Sequence, residues 1–400
     1  MNDSDETRKK IKAAITELLP ELIGLQKSIH QNPELPLQER RSASLLVDFL
    51  SKEGFDVKSG LAGLETSFRA DRGDLSRRPR LAFLAEYDAL PGLGHACGHS
   101  IIASASVGAA AAVARCFPDA PVSVMGTPAE EIGVGKIPLL EAGAFEGIDL
   151  SMMVHPSSRR QVIKFFLGVV QRTVTFHGKS AHAAAYPEEG VNALDGVILF
   201  YNAVAALRQQ LPDQCRVHNI ITEGGQAPNI IPELARALCV VRALELPVLA
   251  GALKKVEDCA RGAANATGTK VDIEPARNLV MPLKVNRSLS GIYREELKAQ
   301  GLVEYDGPED KGLGSSDIGN LSQAMPVIHP HVPIGEPGSV SIHTREFEKA
   351  AGGPAGEKAV EEGSCLLALT ACRVLMEKDA WKNIKEEFDE AGTDIPQGLK

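Results

Sequence analysis

Positive charge, long apolar runs and cysteine are all scarce in this 400-residue chain. Lysine and arginine total 43 against 52 aspartate and glutamate, a net charge of -9 with a pI near 5.7, so no basic face for nucleic acid or an anionic membrane is expected. No uninterrupted apolar run approaches the roughly 18 residues that cross a bilayer. The acidic start Met1-Asn2-Asp3-Ser4-Asp5-Glu6 has no basic stretch leading into an apolar one, so no secretory signal is expected. Seven cysteines scattered from Cys97 to Cys372 suit reduced thiols better than a disulfide framework, and a cytoplasmic location is expected. What remains is a globular composition, 44% hydrophobic and 24% charged, long enough for two domains.

Apolar residues recur at helical spacing from 7 to 54, through Ile11, Ile15, Leu18, Leu19 and Leu22 and then Ala43, Leu45, Leu46, Phe49 and Leu50, with the polar turn His30-Gln31-Asn32-Pro33-Glu34 between them. Residues 80–86, 121–126 and 149–154 read as buried strands, and the Ala-rich 101–116 as a buried helix. Alternation of strand and helix is the pattern of a parallel sheet flanked by helices. From 169 the texture changes to alternating strands at 169–176, 217–222, 235–243 and 269–273, with helices at 192–210 and 249–264: an inserted ferredoxin-like α+β unit. The expected fold class is therefore α/β, with a discontinuous first domain of 1–168 and 275–400, its sheet mostly parallel, and an insert at 169–274. The low-complexity stretch from Ala350 to Gly356 reads as a loop.

The polar residues fall at strand ends. The first strand runs into Tyr87-Asp88, the second into Glu130-Glu131 and the third into His155-Pro156, and open α/β sheets bind ligands outside the carboxyl ends of their strands. In Gly94-His95-Ala96-Cys97-Gly98-His99, a thiol and an imidazole flank a glycine that permits a tight backbone. Cys97, His99, Glu131, His155 and the distant His343 together offer thiolate, imidazole and carboxylate. That set fits a pair of divalent cations of zinc, manganese, cobalt or nickel type and not calcium or magnesium, with Cys97 bridging. Like charges side by side are costly, and a cation resolves the conflict by taking Glu131 while Glu130 acts as general base toward a metal-activated water. Asp88 is placed to orient His99. Blander readings stand beside these: a helix-start acid pair for Glu130-Glu131, a turn residue for Asp88, a core histidine for His155.

With those motifs in view, the chain resembles the aminoacylase and carboxypeptidase family of di-metal peptidases, in its amidohydrolase branch of indoleacetyl-amino-acid hydrolases, aminobenzoyl-glutamate hydrolases and aminoacylase-like dipeptidases. The resemblance runs from His30-Gln31-Asn32-Pro33-Glu34 through Tyr87-Asp88-Ala89-Leu90-Pro91, the Cys97 and Glu130-Glu131 motifs, Gly178-Lys179-Ser180-Ala181-His182-Ala183 and Pro228-Asn229-Ile230-Ile231-Pro232 to His343-Thr344-Arg345-Glu346-Phe347. It implies that Cys97, His99, Glu131, His155 and His343 hold two divalent metal ions and that Glu130 is the base. It makes the insert a lid and homodimerisation domain, with His182 reaching across the dimer to the tetrahedral oxyanion. Asn229 and Arg242 match lid positions that contact a substrate carboxylate, although Arg242 also reads as a plain surface strand residue. Ser100 stands where Asp is usual, and Glu86-Tyr87-Asp88 replaces a more usual acidic triplet. His329 and His331 read either as lining of the substrate pocket or as neighbours of a structural proline.

The implied activity is hydrolysis of an amide in an N-acyl amino acid or small dipeptide with a free carboxylate. Two other readings stay open: the same site run toward amide formation in biosynthesis, and a non-catalytic binding or scaffold relative.

Overall fold

Two amphipathic helices open the chain, α1 (Asp3–Gln31) and α2 (Arg40–Lys52), each burying one stripe: Ile11, Ile15, Leu18 and Leu22 on the first, Ala43, Leu46, Phe49 and Leu50 on the second. α1 stops just short of Pro33, which lacks an amide and disfavours helix at the residue before it. The computed structural model describes residues 3–307, 313–392, 395, 396 and 399. It divides into two units, Met1–Phe165 with Lys284–Thr393 and Phe166–Leu283 with Asp394–Lys400.

In the first unit follow β1 (Asp56–Ser59), β2 (Phe68–Arg72), β3 (Leu81–Ala85), α3 (His99–Cys116), β4 (Val122–Gly126), α4 (Lys136–Glu141), β5 (Leu150–Met152) and β6 (His155–Ser157). The inserted unit holds β7 (Gly168–His177), α5 (Ala193–Leu207), β8 (Arg216–Glu223), β9 (Leu234–Ala243), α6 (Leu246–Thr267) and β10 (Lys270–Pro275). The chain then returns with α7 (Arg287–Ala299), α8 (Ile318–Ala324), β11 (Val327–Ile328), β12 (His331–Pro333), α9 (Arg345–Ala351), α10 (Pro354–Met376) and α11 (Ala380–Glu390).

Among the described residues the first unit has a sheet in the order β1-β2-β4-β3-β5-β11. The pairings of β3 with β4 and β5 and of β5 with β11 are parallel, while β1, β2 and β4 pair antiparallel. Every residue of β3 and β4 is buried, as expected of strands covered on both faces. α3 packs between α1, α10 and the sheet, and its alanines, serines and glycine let the helices approach closely: a Cβ on Gly108 would lie 2.5 Å from Leu22 Cδ1. By length and composition α3 is apolar enough to cross a membrane, but 89% of it is buried inside the fold.

The second unit is a four-stranded antiparallel sheet in the order β10-β7-β9-β8, with α5 and α6 packed on it. In chain order this is β-α-β-β-α-β, the ferredoxin-like arrangement. The unit runs past the expected end at 274 to Leu283, because Val169 and Val280 exchange backbone hydrogen bonds of 2.7 and 3.1 Å and Leu279 and Met281 pack on its core. The expected loop from Ala350 to Gly356 is largely helical: only Gly352 and Gly353 break the chain between α9 and α10, and Pro354 fits the first turn of the new helix.

Candidate metal centre

α3 begins at the site because Gly98 precedes it in the left-handed region, φ 80°, where a side chain would be strained. There is no room for one either, since a Cβ on Gly98 would stand 2.3 Å from Pro156 Cγ. This close approach brings the Cys97-Gly98-His99 turn against β6. Cys97 Sγ lies 3.6 Å from His155 Nε2, and the two imidazoles of His99 and His155 meet edge to face at 6.2 Å.

His99 is wholly buried. Its Nδ1–H donates to the Asp88 carbonyl at 2.9 Å and to Asp88 Oδ1 at 3.0 Å, while Asp88 Oδ2 accepts the Glu131 amide at 3.1 Å. One carboxylate thus orients both an imidazole and the backbone of an acid, the support expected behind metal-binding groups. His155 is fixed likewise, its Nδ1–H donating to Pro156 O at 2.8 Å so that Nε2 faces the thiol. Burial brings this imidazole down to about 4, so it is neutral at physiological pH.

Among the described residues three groups each bring their donor atoms within 4.8 Å of one another: Cys97, His99 and His155; Cys97, Glu131 and His343; and Glu86, His99 and Glu130. Cys97 belongs to the first two. Buried His99 Nε2 and Glu131 Oε1 have no hydrogen-bond partner among the described residues, and a thiol, imidazoles and a carboxylate together make a donor set suited to zinc-like cations. Those residues fit a divalent metal. His343 is half-exposed, held at φ 66° by its amide bonding to Ala96 O at 2.9 Å, with Nε2 3.6 Å from Glu131 Oε2.

The adjacent acids diverge. Burial pushes the Glu130 carboxyl well up, and Glu86 and Asp317 push it further. Burial also acts upward on Glu131, but His343, His99 and Cys97 outweigh it and take that carboxyl down to about 2. Their surroundings thus pull the two neighbouring carboxyls in opposite directions. Burial pushes the Cys97 thiol well above its ordinary value, which disfavours it as a free nucleophile.

Beneath Glu130 lies a feature that motif reading misses. Lys136, fully buried, places Nζ on Glu86 Oε1 and, at 2.5 Å, on Asp317 Oδ1, while its amide donates to Asp317 Oδ2 at 2.8 Å. Glu86 Oε2 stands 3.6 Å from His99 Nε2. The available signal was a lone lysine in the apolar run Gly135 to Leu140.

Other expected positions fall differently. His155 does not end the third strand: β5 stops at Met152, and His155 opens the separate strand β6, paired in parallel with β12 so that His331 is its direct neighbour. The rings of His329 and His331 stand 5.2 and 5.5 Å from His155, beside the donor groups and outside them. In the inserted unit His182 is exposed on a loop whose Ala184 and Ala185 amides donate to its Nδ1 at 3.3 and 3.2 Å, which leaves the proton on Nε2. The Asn229 carbonyl accepts the Ala183 amide at 3.0 Å, so Asn229 sits on the His182 loop. Arg242, by contrast, is near the far end of β9, which begins at Leu234; eight residues at 3.3 Å each put it roughly 26 Å along the strand.

Residues 167–267 match a peptidase dimerisation domain of the M20 type. Over 397 residues the chain is 38% identical to the Xaa-Arg dipeptidase of Mus musculus, covering 95% of this chain and 92% of that one. It is 31% identical over 306 residues to a p-aminobenzoyl-glutamate hydrolase chain of Escherichia coli strain K12, covering 70% and 63%. A putative aminohydrolase from methicillin-resistant Staphylococcus aureus shares the fold with a TM-score of 0.76 at 20% identity, covering 90% of this chain and 99% of that one. A dinuclear metal-binding peptidase of the M20 family from Bacillus subtilis does so with 0.71 at 20% identity and the same coverage. The chain belongs to the M20 peptidase family, the aminoacylase and carboxypeptidase family its motifs resemble, and within it to the branch that holds Xaa-Arg dipeptidase and p-aminobenzoyl-glutamate hydrolase.

Proposed function

We propose how the donor groups divide the work of amide hydrolysis. The chain is a metal-dependent hydrolase of amide bonds in dipeptides or N-acyl amino acids, the two classes that its relatives' names describe. Two divalent cations of zinc, manganese, cobalt or nickel type would be held by Cys97 with His99 and His155, and by the same Cys97 with Glu131 and His343. There they would supply Lewis acidity toward the scissile carbonyl and toward an attacking water. Glu130 takes the proton of that water on its carboxylate and returns it to the leaving amine. The observation that carries the reading is geometric: Cys97 is shared by two donor groups, and Glu130 stands beside them, its Oε2 3.9 Å from His99 Nε2, without belonging to either. Asp88 holds His99 and Glu131 in register. The family resemblance assigns the oxyanion to a His182 supplied across a dimer, and a proton on Nε2 suits it to donate.

A homodimer formed through the inserted unit is supported by the matched dimerisation domain and by exposed apolar side chains in that unit: Ile198, Leu199 and Tyr201 on α5, Ile220 and Ile221 on the edge strand β8. The test is release of free amino acid from Xaa-Arg dipeptides and from p-aminobenzoyl-glutamate by chelator-stripped protein reloaded with each of the four metals. Turnover restored by a divalent cation is expected. A stripped protein as active as the reloaded one sinks the reading.

A further inference from the structure

We infer that the connection between α1 and α2 is the brace that aligns the metal centre, with Glu39 as its positioning residue; this rests on the reading of Glu131 as a cation ligand. The His30-Gln31-Asn32-Pro33-Glu34 motif heads this connection, and none of its residues is among the donors. The acids that matter to the site follow directly on Ala129, which has φ 58° and ψ 38°. A residue with a Cβ enters that left-handed region only at a cost, so something must hold it there.

Glu39 does. It is fully buried, and its Oε1 accepts the Ala129 amide at 2.9 Å. The same oxygen accepts the amide of Leu37, itself left-handed at φ 67°, at 2.8 Å, while Oε2 accepts the Thr66 hydroxyl at 2.8 Å. One carboxylate oxygen therefore fastens two strained residues to each other, one in the brace and one at the root of Glu130 and Glu131.

The other end of the brace holds the neighbouring segment of the centre. Glu34 O accepts the Ala89 amide at 2.8 Å, next to Asp88, the residue that orients His99 and Glu131. The Glu34 side chain is spent on rigidity, accepting the Arg41 amide at 2.9 Å and both the Ser42 amide and hydroxyl at 2.8 Å across the start of α2. A rigid connection thus grips the backbone beside Asp88 with one residue and the backbone before Glu130 with another, and so braces from one side two segments that β3–β4 pairing and the Asp88–Glu131 hydrogen bond already join.

The test compares Glu39→Met, which keeps the side-chain length without an acceptor, with Glu39→Gln, which keeps Oε1. Each full-length apo protein is titrated with cobalt and followed by its absorption bands. Glu39→Met should weaken cobalt binding about 10- to 100-fold, the size of effect usual for groups that orient metal ligands, and Glu39→Gln should stay within a few-fold of the parent. Adding Ala129→Gly to Glu39→Met should recover most of the loss, because glycine occupies the left-handed region freely. Parental affinity in Glu39→Met overturns the inference, and so does a loss that Ala129→Gly fails to restore, since general packing would behave that way. If Glu39→Met alone does not fold, the double variant decides: folded and binding supports the brace, unfolded or non-binding overturns it. Glu131→Ala run alongside separates the two levels, for undiminished cobalt binding there would refute the ligand reading itself.

Discussion

The two units of this chain treat polar chemistry in opposite ways. In the first unit Glu86, Asp88, Cys97, His99 and Lys136 are all at most 5% exposed, and Asp88 and Lys136 each hold two partners. In the inserted unit His182 and Asn229 lie on an exposed loop, and the notable exposed groups are apolar. A buried charge must be compensated within its own unit, whereas an exposed imidazole or isoleucine is free to be completed by something outside. Cation binding and proton transfer are thus expected to depend on the first unit, association on the second.

The largest expected effect is Cys97→Ala, which removes the donor common to two groups: cation content by mass spectrometry and turnover should fall together, and retention of both would show that the thiol is no ligand. Glu130→Gln should lower kcat about 10²- to 10⁴-fold with cation content unchanged, and parental kcat would remove it as the base. Lys136→Met leaves Glu86 and Asp317 buried without their cation and should cost about 3–5 kcal/mol in urea unfolding; a loss near zero would mean those carboxyls are uncharged in the fold. In the other unit, Ile220→Asp should shift a sedimenting dimer toward monomer and leave cation content alone, and a change in cation content would break the contrast between the units. The smallest effect lies far from both. The Arg115 guanidinium holds the Glu53 carboxyl below its ordinary value of 4.5, so this pair's stabilisation is present above that value and is lost as pH falls through the lowered one. Glu53→Gln should flatten that acid limb by about 1 kcal/mol or less, and an unchanged limb would assign it to other carboxyls.

How far the sequence disclosed this arrangement follows from distance along the chain. Asp88, Glu130 and Glu131 follow buried strands that their apolar runs disclose, and Cys97 and His99 stand in a Gly- and His-rich turn before a buried helix, so strand pattern and motif together brought them to one rim. Lys136 stayed hidden because its carboxylates are 50 and 181 residues away and a lone lysine signals nothing about partners. Glu39 was hidden for a similar reason, its tie to Ala129 spanning 90 residues. The insert's end was misplaced at its last strand because the pairing of Val280 with Val169 leaves no periodic trace.

The ring of Pro156 fills the space where a side chain on Gly98 would be. The helix that starts with His99 and the strand that starts with His155 are therefore keyed like lock parts cut together: neither can be redesigned without recutting the other. A change of metal preference sought by widening the gap between these two imidazoles cannot begin at Gly98, because even one added methyl group would drive into the ring of Pro156, the residue bonded to His155.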